Sequence, residues 1–304
     1  MILNTLFPVF AVIALGYVLK HTGFVPAVFF PASDRLVYYV FFPCMLFWKI
    51  GTGGPLTRID PGLIASGLSA IFLIFILSTL FIIAAKVPAF KAGSFSQSCY
   101  RFNTYIGMAV ILNALGDKGV VIFAILIGAL IPVINILSVG ILIWFSEKSA
   151  PAREKQKYLL RALAYNPLIL ACIAGVAFAV SGLNLPGFID NTLSLVSMVT
   201  LPLALISIGS AFSFKKFGGH LKPAAAAAAF KLILLPAAGA GLMHLFNVEG
   251  ISFQTGMIYF CLPTSTAIYV LSSQLHSDTE LASAAIVIST LFSFVPLSVV
   301  LTWI

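Results

Sequence analysis

Ten long apolar stretches divide the chain, and the charged residues collect between them. A transmembrane α-helix needs about 20 apolar residues, and most of the stretches approach this length. Hydrophobic residues make up 61% of the 304 residues and charged residues only 9%, which is too little polar surface for a water-soluble fold. We therefore expect an all-α membrane protein with transmembrane helices near residues 1–20, 34–49, 62–85, 94–115, 118–145, 159–181, 191–213, 223–246, 251–275 and 279–303.

The basic residues fall mainly in alternate loops, which indicates the orientation of the chain. One set of loops carries twelve of them, whereas the other carries only Lys49, Arg58 and Lys118. Cytoplasmic loops of membrane proteins are enriched in Lys and Arg. This predicts a multi-pass protein of the bacterial plasma membrane with both termini outside. The net charge of +8 then needs no nucleic-acid partner to explain it.

An internal repeat with an offset of 159 or 160 residues relates the two halves of the chain. The matched landmarks include Gly16 with Gly175, Pro26 with Pro186, and Pro43 with Pro202. The halves are residues 1–158 and 159–304, with five predicted helices each. Because five is odd, the second half is expected to be inverted relative to the first, as in many secondary transporters.

Each half contains a helix-breaking motif in its fourth predicted helix. In the first half, the side chains of Asn103 and Thr104 can bond to the backbone and so compete with the helical hydrogen bonds. In the corresponding helix of the second half, Pro263 lacks an N–H group. If both helices break, two new helix N-termini point their N–H groups at the membrane midplane and form an anion site without metal or cofactor. A simple proline kink is the alternative. The predicted substrate-binding residues here are Asn103, Thr104, Pro263, Thr264, Ser265 and Thr266.

Arg101, Lys231 and Asn135 are further candidates inside predicted helices, where charge is costly and usually functional. Arg101 precedes the first break and either holds a carboxylate, extends to the cytoplasmic interface, or bonds to unwound backbone carbonyls. Lys231 either supports the broken region from behind or contacts the substrate. Asn135, three residues after Pro132, either caps unwound backbone or lines the pathway. No Asp or Glu lies securely inside a predicted helix, so the residues give no clear site for proton coupling.

The breaks also carry a resemblance to a known family. The segments 39–43, 101–109, 131–135, 231–236 and 262–267 are similar to motifs of the auxin efflux carrier family. The similarity extends along essentially the whole chain, which lacks the long cytoplasmic loop of the plant members. The chain resembles the prokaryotic, malonate-transporter-like permeases of that family.

The resemblance implies a fold related to bile acid symporters and sodium/proton antiporters, with broken helices 4 and 9 crossing each other. Helices 1, 2, 6 and 7 would form a scaffold, and helices 3–5 and 8–10 a transport domain. Asn103 and Pro263 match the crossover residues of the family, and Asn135 falls at its polar site in the fifth helix. Lys231, Pro43 and Pro202 would have structural or coupling roles. Elevator-type movement and a homodimer are also implied.

The sequence therefore predicts a secondary transporter of small organic anions, such as indole acetate or malonate, that works by alternating access and is not an enzyme. A sodium- or proton-coupled symporter of bile-acid-like or other organic anions is the alternative. A channel is a further alternative, although no ring of pore-lining charge is visible.

Overall fold

The computed structural model describes residues 2–53, 60–145, 164–213 and 218–303, and within these ranges the chain is helical with no β-strand. The helices are α1 (Ile2–His21), α2 (Phe29–Leu36), α3 (Phe42–Thr52), α4 (Pro61–Ala84), α5 (Ala89–Tyr100), α6 (Thr104–Trp144), α7 (Pro167–Ser181), α8 (Gly187–Ser210), α9 (Leu221–Ala229), α10 (Leu235–Leu245), α11 (Gly250–Phe260), α12 (Ala267–Gln274), α13 (Thr279–Phe292) and α14 (Phe294–Leu301). Two π-helical segments, Val37–Phe41 and Phe230–Leu234, join α2 to α3 and α9 to α10.

Among the described residues, six helical segments are long and apolar enough to cross a membrane. They are Ile2–His21, Pro61–Ala84, Ala89–Trp144, Gly187–Ser210, Leu221–Leu245 and Thr279–Leu301. The chain is thus an α-helical membrane protein, as predicted, while the count of ten transmembrane helices stays a prediction. The connector 146–158, the predicted boundary between the two halves and the start of the predicted sixth helix lie outside the described residues.

Prolines inside the second and eighth predicted helices are accommodated by the two π-helical segments. A proline ring clashes with the carbonyl four residues earlier and supplies no N–H group. In α3, the N–H group of Phe42, just before Pro43, donates to the carbonyl of Val37, five residues earlier. Leu235, just before Pro236, donates in the same way to Phe230. The wider turn keeps both helices continuous. Pro202 lies inside α8, which is α-helical from Gly187 to Ser210.

Gly116 interrupts the helical backbone inside α6. Its backbone angles, φ 64° and ψ −159°, belong to a region that only glycine adopts readily. This kink falls between the predicted helices 94–115 and 118–145. It therefore divides α6 into a short helix from Thr104 and a longer helix that ends at Trp144.

Two groups of helices are packed around α6. In the first, α1 packs against α8 and α3 packs against both α7 and α8. In the second, α4 contacts α5 and α10, and α13 contacts both α5 and α9. Helix α6 contacts members of both groups. Tyr105, in the first turn of α6, contacts Phe42 of α3 in the first group, with ring centroids 4.9 Å apart.

Candidate functional site

The two predicted helix breaks are present as interruptions between consecutive helices. Residues 101–103 are non-helical between α5 and α6, and residues 261–266 separate α11 from α12. The second helix resumes at Ala267. Before it, the N–H group of Thr264 donates to Ser289 Oγ of α13, at 3.1 Å.

The two interruptions lie side by side. The N–H group of Asn103 donates to the carbonyl of Pro263 across a distance of 2.9 Å. The ring of Phe102 packs edge-on against Tyr259, with centroids 4.8 Å apart. Residues more than 150 positions apart in sequence are thereby brought into one polar region surrounded by buried apolar side chains.

The side chain of Asn103 has a fixed orientation. Its Oδ1 atom accepts the N–H groups of Tyr105 and Ile106, each at 3.1 Å, and so caps the N-terminus of α6. Because both partners are donors, the oxygen must be the capping atom and Nδ2 must point elsewhere. Nδ2 is buried and has no acceptor within the described part of the chain. The amide therefore presents an unsatisfied donor at the start of a helix.

The second interruption adds hydroxyl groups to the same region. Thr264 is fully buried, and its Oγ1 atom has no hydrogen-bond partner among the described residues. Ser265 Oγ accepts the N–H group of Ala267 at 3.2 Å and so helps to begin α12. Thr104, Ser265 and Thr266 are each partly exposed. All six residues predicted at the breaks thus lie at the ends of the broken helices.

Lys231 contacts the carboxyl end of α11 and not the amino ends of α6 or α12. It is completely buried in the π-helical segment, and its Nζ atom donates to the carbonyl of Phe260 at 3.4 Å. A cation at a helix C-terminus is favourable because the unpaired carbonyls carry partial negative charge. Of the two roles suggested for Lys231, this geometry fits support of the broken helix.

Arg101 lies in the first interruption, and Asn135 lies on α6. Arg101 is partly buried, and its N–H group donates to the carbonyl of Gln97 as α5 ends. Asn135 is partly exposed on α6. Ser138, one turn further on, donates to the hydroxyl of Tyr100 at 3.3 Å. This contact sets the region of α6 around Asn135 beside the end of α5.

A buried polar seam between α5 and α12 was not predicted as part of the site. Ser94 Oγ is 2.8 Å from Ser272 Oγ and donates to Ser277 Oγ at 2.9 Å. Gln97 Nε2 donates to Ser272 Oγ at 2.9 Å and to the carbonyl of Ile268 at 3.4 Å. The signal in the sequence was the run of Ser and Gln between residues 94 and 98 inside an apolar stretch. The seam ties together the two half-helices that flank the interruptions.

Asp34 lies in α2, which is continuous with the π-helical segment and α3, so this carboxylate is inside a helical run from Phe29 to Thr52. Its Oδ1 atom accepts a hydrogen bond from Ser207 Oγ of α8. The expectation that no Asp or Glu lies securely inside a transmembrane helix stays a prediction.

Comparison with known proteins places the chain in a family. A model described as "Membrane transport protein" matches residues 1–301. An "Uncharacterized transporter" of Methanothermobacter thermautotrophicus is 25% identical over 310 aligned positions, covering 97% of this chain and 95% of the relative. A "Putative malonate transporter" of Rhizobium meliloti is 27% identical over 311 positions, covering 94% and 90%. The chain therefore belongs to this family of membrane transport proteins, the auxin efflux carrier family that its motifs resemble, and it is a transporter and not an enzyme.

Proposed function

We propose that the protein is a secondary carrier of small organic anions and that the anion binds where the two helix interruptions meet. The observation that carries this proposal is the buried Nδ2 atom of Asn103, which has no acceptor within the described residues. An unsatisfied buried donor costs about 1–3 kcal/mol. A carboxylate oxygen is an acceptor of suitable chemistry, and a charged acceptor makes a stronger hydrogen bond than a neutral one.

The helix N-termini support an anion in the same place. Helix α6 begins at Thr104 and α12 begins at Ala267, and both starts adjoin the interruptions. Unpaired N–H groups and the helix dipole give such ends partial positive charge. Malonate and indole acetate are the two carboxylates to test first, because one relative is named for malonate and the motifs resemble those of auxin carriers.

We also propose that the chain crosses the membrane ten times as two inverted repeats. Close glycine contacts support this arrangement. Gly16 of α1 lies against the backbone of Ile206 in α8, and its repeat partner Gly175 of α7 lies against Ile50 in α3. The first helices of the two halves thus pack in corresponding ways, each against a helix of the other half.

The two packed groups support a division into a scaffold (α1–α3, α7 and α8) and a transport domain (α4–α6 and α9–α14). In this proposal the transport domain moves past the scaffold in elevator fashion and carries both interruptions with it. The carrier acts as a homodimer in the bacterial plasma membrane, with both termini outside.

The proposal is tested by counterflow of labelled malonate and of labelled indole acetate in proteoliposomes, with wild type and the variant Asn103→Asp. Aspartate retains an oxygen that caps α6 but replaces the Nδ2 donor with negative charge. We expect saturable counterflow in the wild type and its loss in the variant.

Asn166→Asp provides a matched control. Asn166 is also buried, and its Oδ1 atom caps α7 by accepting from Leu168 at 3.0 Å and Ile169 at 3.3 Å. This change should leave at least half of the counterflow. Equal activity of the two variants would refute the role of Asn103. Repeating the assay with imposed pH and sodium gradients tests coupling.

A further inference from the structure

The peptide group between Pro263 and Thr264 is hydrogen-bonded on both of its sides. Its carbonyl oxygen accepts the N–H group of Asn103 at 2.9 Å, and its N–H group donates to Ser289 Oγ of α13 at 3.1 Å. The peptide is trans and planar, so these two groups point in opposite directions from one rigid unit. A rotation of this peptide would therefore disturb both bonds together.

The hydroxyl group of Ser289 is oriented as an acceptor towards Thr264. It donates its own hydrogen to the carbonyl of Ile286, three residues earlier in α13, at 3.2 Å. A hydroxyl has one hydrogen to donate and two lone pairs that accept, so a lone pair remains for the N–H group of Thr264. Ser289 is 1% exposed and Thr264 is fully buried, so the bond is shielded from water. Removal of the hydroxyl would leave a buried donor without this acceptor, which is costly.

Helix α13 contacts a half-helix at each interruption. It packs against α5, which ends just before the first interruption, and against α12, which begins just after the second. The bond from Ser289 to Thr264 therefore fixes the second interruption relative to helices on both sides of the crossing.

The bonded peptide connects Ser289 to the proposed anion site. The backbone of Asn103 donates to the carbonyl of Pro263, and the side chain of Asn103 carries the Nδ2 donor that we assign to the anion. The position of that donor depends on the backbone of Asn103 and hence on the orientation of the Pro263–Thr264 peptide. Ser289 would act on the anion through this peptide and not by touching it.

We propose that Ser289 is a positioning residue that holds the anion site in its binding orientation. This inference rests on the proposed function and adds a residue of α13 to the same site. Without the hydroxyl, the peptide would populate other orientations as well. When the competent state is only fractionally populated, the affinity for a ligand falls by that fraction. The loss of one hydrogen bond of ordinary strength changes such an equilibrium by about tenfold.

The test measures how counterflow of malonate and of indole acetate depends on concentration in wild type and in Ser289→Ala. We expect the half-saturating concentration to rise about tenfold while the maximum rate is retained. Titration calorimetry on the purified protein should show the same loss of affinity. Ser289→Cys has a similar shape but is a weaker acceptor, so its affinity should lie between those of wild type and Ser289→Ala.

Thr290→Val is the matched control. Thr290 is the next residue of α13, is fully buried, and donates its hydroxyl to the same carbonyl of Ile286 at 2.7 Å. Valine has nearly the same shape, so this change removes a buried hydroxyl from α13 but keeps the acceptor for Thr264. The half-saturating concentration of Thr290→Val should therefore remain that of the wild type.

The outcomes distinguish this inference from the proposed function. An unchanged half-saturating concentration in Ser289→Ala, a fall in its maximum rate alone, or an equal loss of affinity in Thr290→Val would overturn the positioning role and leave the organic-anion carrier intact. If the wild type shows no saturable counterflow of either anion, the proposed function fails and this inference fails with it.

Discussion

Replacing Gly209 by alanine should disrupt the packing of α1 against α8. A β-carbon at this position would lie 2.8 Å from the carbonyl carbon of Ile13 and closer still to its oxygen, whereas ordinary van der Waals contact is 3.4–4 Å. The opposing atoms are backbone, so no side-chain rotation relieves the clash and the helices must separate. Overpacking of this kind costs about 1–3 kcal/mol. Since each kcal/mol shifts Tm by roughly 2–4 °C in a chain of 150–250 residues, we expect Tm to fall by about 2–10 °C.

The assay is thermal unfolding of the purified protein in detergent, followed by tryptophan fluorescence. Gly241→Ala is the matched control, since Gly241 lies inside α10 and a β-carbon there meets nothing within 4 Å. Alanine should stabilise that helix by about 0.5–1 kcal/mol, because glycine loses more conformational entropy on folding. If the Tm of Gly209→Ala matches that of Gly241→Ala, the reasoning about backbone contact between α1 and α8 is wrong.

Two more changes test the broken helices. Pro263→Ala restores an N–H group that favours a continuous helix by about 1 kcal/mol. We expect this variant to be folded and monodisperse in size-exclusion chromatography but to show no counterflow. Counterflow at the wild-type rate would contradict this. Lys231→Met removes the buried ammonium from the carboxyl end of α11 while keeping the length of the side chain. A buried charge is often replaced by an apolar group without loss of stability, so the Tm of this variant should not fall. Its counterflow should drop at least tenfold. A lower Tm with unchanged counterflow would assign Lys231 to folding alone.

Local chemistry made the two interruptions predictable. Proline at 263 removes a backbone donor, and asparagine at 103 supplies an acceptor that caps the following helix; both effects act within one helical turn. The partners of the second interruption were not predictable in this way. The N–H group of Thr264 bonds to Ser289, which belongs to a helix 25 residues later in the chain.

The partners of the buried polar residues were likewise hidden in the sequence. Lys231 was recognisable as a costly charge within an apolar stretch, but its acceptor, the carbonyl of Phe260, is a backbone atom that every residue possesses. Gln97 and Ser272 form part of a seam only because α5 and α12 run alongside each other.

The sequence by itself determined that the chain is an α-helical membrane protein with two broken helices, because apolar length and missing backbone donors act locally and need no tertiary contact. Tertiary structure decided which ends meet. The bond between Asn103 and Pro263 joins residues 160 positions apart, and the enclosure of the unsatisfied Asn103 amide follows from the same packing. Such contacts result from packing of whole helices, in which many small contributions sum and no single residue pattern records the outcome.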